Sequence, residues 1–225
     1  MSEEIDFSTV IASAVHDMKN SLGMLLHSVD EVGEVVPDSV RQSQSFNTLQ
    51  YEAQRLHGNL VQLLGLYRLQ QDRLSANVEE LMVPDYLDEQ MARHSALLRG
   101  MGIQLNVHAE ARESYFDPQL VGGVLTNVIN NAIRYTRGQL QLSAREETDY
   151  LVISVEDDGP GYPERMLESL SQGIDSLDFR TGSTNLGLYF AERMARMHRE
   201  GEREGFIRLR NGGELGGGIF ELWLP

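Results

Sequence analysis

Between Ile11 and Tyr67 the apolar residues recur in alternating steps of three and four. The first series is Ile11, Val15, Met18, Leu22, Leu25, Val29, Val32 and Val36, a heptad seam along one long helix. Gly33 and Pro37 interrupt it, and Asp38 or Ser39 offers a cap for a new helix. The second series is Phe46, Leu49, Ala53, Leu56, Leu60, Leu63 and Tyr67. Two long amphipathic helices joined by a short turn predict an antiparallel hairpin. Leu26, Leu64 and Leu66 widen the apolar stripe beyond one seam. A lone hairpin has only two layers and a narrow core, and the rest of the chain offers no second pair of such helices. The expectation is a homodimer in which two hairpins form a four-helix bundle.

The chain of 225 residues leaves room for a second, modest domain. With 41% hydrophobic residues it can bury a core. The formal net charge of -15 argues against nucleic acid as a partner, because no basic footprint is available. An acidic chain can still hold an anionic nucleotide if backbone amides and a metal ion act locally. The absence of cysteine excludes disulfides, thiolate catalysis and cysteine zinc sites. The opening residues carry Glu3, Glu4 and Asp6 rather than a basic start and an apolar run. No stretch approaches the roughly 20 apolar residues of a membrane span. The expectation is a soluble, cytoplasmic protein with no membrane insertion, and with only a short tail before the first helix, hence no built-in sensor domain.

Residues 70–77 are polar and lack a seam, which places the boundary between a domain at 1–76 and another at 77–225. In the second part, strands are expected at 78–83, 103–108, 140–145, 150–156, 206–209 and 219–224. Helices are expected at 84–99, 118–134 and 186–197. Strands that pair as hairpins, mixed with helices, predict an α+β layer of sheet with helices on one face.

Four strings carry chemistry. His16 follows the seam residue Val15, so it lies beside the seam and reaches solvent, with Asp17 adjacent and Asn20 one turn on. A neutral imidazole is a nitrogen nucleophile, and a neighbouring carboxylate can orient it and take up its proton. A lone histidine on a polar helix face is more often merely solvated. The second string, residues 125–136, puts Asn127 and Asn131 four apart on one helix face. Amide oxygens suit a hard, water-rich cation such as magnesium, although polar surface residues would look the same. The third, Glu156-Asp157-Asp158-Gly159-Pro160-Gly161-Tyr162, is a strand end and a tight turn. Asp157 there can accept from the exocyclic amine of adenine and would repel the carbonyl of guanine. The fourth, residues 181–188, places small residues at a helix start, where free amides attract anions.

The string His16-Asp17-Met18-Lys19-Asn20-Ser21-Leu22 resembles the H-box of histidine kinases. Ser21 stands where many members have proline, which leaves the helix less kinked. The stretch from about 78 to 225 resembles the ATP-binding (Bergerat-type) α/β sandwich shared by histidine kinases, gyrase, the ninety-kilodalton heat-shock chaperones and the mismatch-repair ATPases. Asn127 and Asn131 match the N-box, with Asn131 the stronger magnesium candidate. Arg134 and Tyr135 match positions near phosphate and the base or ribose. Asp157, Gly159 and Gly161 match the first glycine box, and Leu186, Gly187 and Leu188 the second. Residues 162–182 correspond to the lid over ATP. The second box departs from the family at Ser183 and Asn185, where glycines are usual, and Gly218 replaces a frequent threonine.

The resemblance implies a kinase that uses ATP and Mg2+, phosphorylates His16 with help from Asp17, and passes the group to an aspartate of a response-regulator receiver domain. Asn20 would place water when the phosphorylated partner is hydrolysed. Input would come from a separate sensor protein or through the receiver. Two other readings stand beside it. One is a phosphorelay histidine phosphotransferase with a degenerate ATP domain, which would have no need of Asn127, Asn131 or Asp157. The other is a serine kinase, ATPase or dimeric adaptor, which would have no need of the H-box.

Overall fold

The computed structural model describes residues 7–41, 43–71, 74–171 and 185–225. The chain divides into two compact units, Met1–Leu74 and Ser75–Pro225.

In the first unit, α1 (Phe7–Val35) and α3 (Gln44–Gln70) pack side by side, joined through a one-turn helix α2 (Asp38–Arg41). The connection is longer than the short turn expected from the sequence. The cap of the second long helix is Ser43, whose Oγ accepts from Phe46 N at 3.3 Å, and neither Asp38 nor Ser39. Gly33 lets the helices meet closely: a Cβ there would lie 3.1 Å from the Phe46 ring, a contact tight enough that the ring would have to shift by a few tenths of an ångström. Asp30 and Gln50 bridge the two helices at 3.0 Å.

The seam divides by register. Val15, Val29 and Ala53 are buried, and Leu22, Val36, Phe46, Leu60 and Tyr67 are half-buried. The other heptad position, Met18, Leu25 and Val32 on α1 and Leu49, Leu56 and Leu63 on α3, is 39–57% exposed. Each helix therefore turns one apolar row to its neighbour and a second row, at seven-residue spacing, to the outside.

The second unit is built on a five-stranded sheet. Its strands are β2 (Gln104–Ala109), β4 (Gln139–Glu147), β5 (Tyr150–Asp157), β8 (Phe206–Asn211) and β9 (Gly218–Leu224), in the order β2-β4-β5-β9-β8. Only β2–β4 is parallel; the other pairings are antiparallel. Helices α4 (Val83–Gly100), α5 (Pro118–Tyr135) and α7 (Asn185–Ala195) cover the face carrying Leu140, Leu142, Ile153, Val155, Phe220 and Leu222, all buried. This is the α+β layering expected from the pattern of elements. Two antiparallel pairs lie outside the main sheet: β1 (Glu79–Met82) with β3 (Glu113–Phe116), and β6 (Arg199–Glu200) with β7 (Arg203–Glu204). Of these only β1 was foreseen. Helix α6 (Glu164–Ser171) occupies part of the stretch read as a lid, and residues 172–184 lie outside the described residues.

The opposite face of the sheet is covered by its own long side chains. Glu221 is fully buried there, accepting from Arg145 Nη2 at 3.0 Å and Arg210 Nη2 at 2.6 Å. Arg208 lies 4.6 Å from the centre of the Trp223 ring. Charge pairing and guanidinium stacking let an exposed-looking face stay dry.

Candidate functional site

In the first unit His16 projects from the outer side of α1 with its side chain half exposed, 51%. Its neighbours gather at one ring nitrogen. Asn20 Nδ2 lies 3.4 Å and Asp17 Oδ1 3.7 Å from Nδ1. The i+4 spacing of Asn20 brings its amide up against the ring. Asn20 can serve either tautomer: its NH2 donates to a bare Nδ1, and after a half-turn of the amide its oxygen accepts from Nδ1–H. Among the described residues no hydrogen bond reaches Nε2. The arrangement presents that nitrogen to whatever approaches the helix.

In the second unit a cavity of about 350 Å³ opens between the C-terminal half of α5, the end of β5, α6 and the start of α7. On α5, Val128, Asn131, Ala132 and Tyr135 recur at helical spacing and form one wall. The α5 start is fixed by Asp117, whose Oδ1 accepts from Gln119 N and Leu120 N, both at 2.9 Å. Its Oδ2 accepts from Asn77 N at 2.7 Å, which ties the beginning of this unit to the same helix.

Asp157 ends β5 at the cavity floor and is buried. Its Oδ1 accepts from Gly159 N at 2.7 Å, so Oδ2 is the oxygen left for a ligand. Glycines enclose this carboxylate. A Cβ at Gly159 would lie 2.4 Å from Tyr135 O, one at Gly217 2.3 Å from Asp157 O, and one at Gly218 2.9 Å from Asp157 Oδ2. Each distance is too short for a real side chain, so backbone from two loops closes on the acid. The next residue, Asp158, secures the other side of the turn. Its Oδ1 accepts from Thr136 Oγ1 at 2.5 Å, Arg137 N at 2.7 Å and Gly138 N at 3.2 Å. Desolvation pushes this carboxyl up, but these hydrogen bonds outweigh it and hold the group down at about 2.

Asn131 Nδ2 donates to Asn127 Oδ1 at 3.3 Å. The Asn131 NH2 is thereby engaged, and its amide oxygen remains for the cavity. Asn127 is buried behind the wall, with its Nδ2 lacking a partner. Gly187, in the first turn of α7, packs on that amide so closely that a Cβ would lie 2.6 Å from Nδ2. Among the described residues no group of three or more His, Asp or Glu could hold a metal unaided. The amide oxygen of Asn131 is a hard ligand of the kind that suits a magnesium ion bringing its own waters and phosphate oxygens. The residues fit that ion with Asn131 as the ligand and Asn127 as its support.

Of the residues singled out in the sequence, the cavity brings together Asn131, Tyr135, Asp157, Gly161 and Leu188. Asn127, Gly159, Leu186 and Gly187 are not on its wall, and two of these, Asn127 and Gly187, pack behind it. Arg134 is also absent from the wall and lies 5.6 Å over the Tyr135 ring. Residues 181–184 of the fourth string, including Ser183, lie outside the described residues. Tyr162, Pro163, Arg165 and Met166 fall in the stretch that the sequence assigns to the lid over ATP but were not named individually as site residues, and all four line the cavity. The amphipathic spacing of α6 was the available clue to the last two.

Residues 116–225 match the family model described as Histidine kinase-, DNA gyrase B-, and HSP90-like ATPase. More particularly, the chain is similar to the sensor histidine kinase CpxA of Escherichia coli (strain K12), 27% identical over 191 residues, covering 82% of this chain and 40% of CpxA. It is similar to the sensor-like histidine kinase SenX3 of Mycobacterium tuberculosis (strain H37Rv), 27% identical over 222 residues, covering 96% of this chain and 53% of SenX3. The chain thus spans about two-fifths to a half of the length of these curated relatives. Among solved structures the fold is shared with the Acinetobacter baumannii histidine kinase AdeS, with a TM-score of 0.59 and 20% identity over 93% of this chain and 96% of that one. It is shared also with full-length ShkA in complex with AMPPNP, with a TM-score of 0.60 and 20% identity over 96% of this chain and 44% of that one. The chain is thus similar to sensor histidine kinases over most of its length, and its second unit contains the segment that matches the ATPase family model. Among the described residues no helix is long and apolar enough to cross a membrane.

Proposed function

We propose that this protein is a histidine kinase that transfers the γ-phosphoryl group of ATP to His16 and then to an aspartate of a response-regulator receiver domain in the cytoplasm. The observation that carries the reading is the pairing of an accessible His16, with its neighbours gathered at Nδ1, and a base pocket floored by Asp157 in the second unit. Residues 1–76 serve dimerisation and phosphotransfer, and residues 77–225 bind ATP. The heptad row left exposed on α1 and α3 supports a homodimer in which a second hairpin covers it.

In the first step His16 Nε2 attacks the γ-phosphorus while Nδ1 holds the ring proton. The N–P bond forms, the bond from phosphorus to the β,γ-bridging oxygen breaks, and ADP leaves with that electron pair. The imidazolium then gives its Nδ1 proton to Asp17, and Asn20 orients the ring. Asp157 Oδ2 accepts from the adenine amine and rejects guanine. Asn131 would hold magnesium, with Asn127 behind it, and the ion would supply charge neutralisation at the phosphates. Barrier lowering comes mainly from positioning and charge.

The phosphorelay reading is favoured by Ser183 and Asn185, which stand where the second glycine box usually has glycines. Calorimetric titration separates the two. The kinase reading expects magnesium-dependent ATP binding that Asp157→Asn weakens at least tenfold, since it loses a charged acceptor worth about 1.5–3 kcal/mol. Absence of ATP binding by the unaltered chain would leave the relay.

A further inference from the structure

Tyr162 follows the Gly159-Pro160-Gly161 turn, and its backbone is held by a side chain from a strand far along the chain. Asn211, the last residue of β8, accepts from Tyr162 N at its Oδ1 (2.7 Å) and donates from Nδ2 to Tyr162 O (2.8 Å). One carboxamide satisfies both polar groups of one residue, as a neighbouring strand would. Gly161, at φ 80°, closes onto the same group: a Cβ there would lie 2.7 Å from Asn211 Oδ1. The clamp has a consequence for the ring. A Cβ at Gly218 would meet Tyr162 Cε2 at 2.9 Å and Asp157 Oδ2 at 2.9 Å, so ring and carboxylate share the space that a side chain at 218 would fill. Burial, and then the charge of Asp157, push the Tyr162 hydroxyl far above its ordinary range, which keeps a neutral ring beside the acid. Tyr162 lines the cavity; Asn211 does not.

We propose that Asn211 is a positioning residue for base recognition, clamping Tyr162 so that its ring walls the base pocket beside Asp157 Oδ2. The inference rests on the reading of this cavity as an ATP site. An apolar wall excludes water from Oδ2 and strengthens the hydrogen bond it accepts from the base. Without the clamp the Tyr162 backbone is freed, and the acid is wetted.

The test is a double-mutant cycle on the full chain, with ATP affinity read by calorimetry and folding by circular dichroism. Asn211→Ala and Tyr162→Ala are each expected to weaken ATP about tenfold, and the double variant to bind no more weakly than Tyr162→Ala alone. Tyr162→Phe should keep wild-type affinity. Asn211→Asp retains the acceptor and loses the donor; it should fall between wild type and Asn211→Ala, and it takes the place of the alanine variant in the cycle if that variant does not fold. Wild-type affinity in Asn211→Ala, or an Asn211 effect that persists undiminished when Tyr162 is already alanine, would overturn the proposal while ATP binding by the unaltered chain still stands. If the unaltered chain does not bind ATP, the nucleotide reading falls and this inference falls with it.

Discussion

Single residues in this fold carry charge decisions that pH can expose. His94 on α4 is buried, with Nε2 lacking a partner, and desolvation followed by the nearby Arg93 charge lowers its pKa to about 4. His198 is likewise lowered, first by desolvation. Its Nε2 accepts from Asp117 N at 3.0 Å, a bond that requires the neutral ring. The unfolded chain takes up these protons as pH falls through about 6.5, while folded His94 resists until about 4. Stability is therefore full above pH 6.5 and falls as pH drops toward 4. Urea unfolding at pH 7 and pH 4.5 should show the wild type losing about 2 kcal/mol more than His94→Leu between the two conditions. Equal losses would contradict the assignment. Residue chemistry was readable in the sequence where the partner is local, as with His16, Asp17 and Asn20. It was not readable for Asn211, which looks like an ordinary turn asparagine because its partner Tyr162 is 49 residues away.

At the scale of elements, the sequence period announced both helices and the two apolar rows along them. Heptad spacing located α1 and α3, and only the cap and the extra turn α2 escaped it, since Asp38 and Ser43 are equally good cap residues. Strands β3, β6 and β7 are two to four residues long, too short to display a period, and they form because a neighbouring strand pairs with them. The row Met18, Leu25, Val32 with Leu49, Leu56, Leu63 has the same seven-residue spacing as the buried row and no partner within the described hairpin. Burying a leucine contributes roughly 1.5–3 kcal/mol, so a second hairpin gains on every layer. Sedimentation velocity at micromolar concentration should find a dimer, and Leu56→Asp should shift it toward monomer with its helicity retained. A wild-type monomer would refute the bundle.

For the whole molecule, the proposed function assigns a nucleophile to one unit and a nucleotide site to the other. The expectations for both units rest on short strings, the H-box and the glycine-rich turns, because each needs particular atoms in one short stretch. The enclosure of Asp157 was less legible: Gly217 ends the β8–β9 turn and Gly218 opens β9, and their need for small size shows only when the backbones meet. In the proposed function the phosphoryl group of ATP reaches His16. Incubation with γ-labelled ATP and Mg2+, followed by acid and alkali treatment, tests it most directly. The account predicts a label that is lost in acid, retained in alkali, absent in His16→Gln and strongly reduced in Asp157→Asn. A label that survives His16→Gln, or no label on a chain that binds ATP, would contradict it.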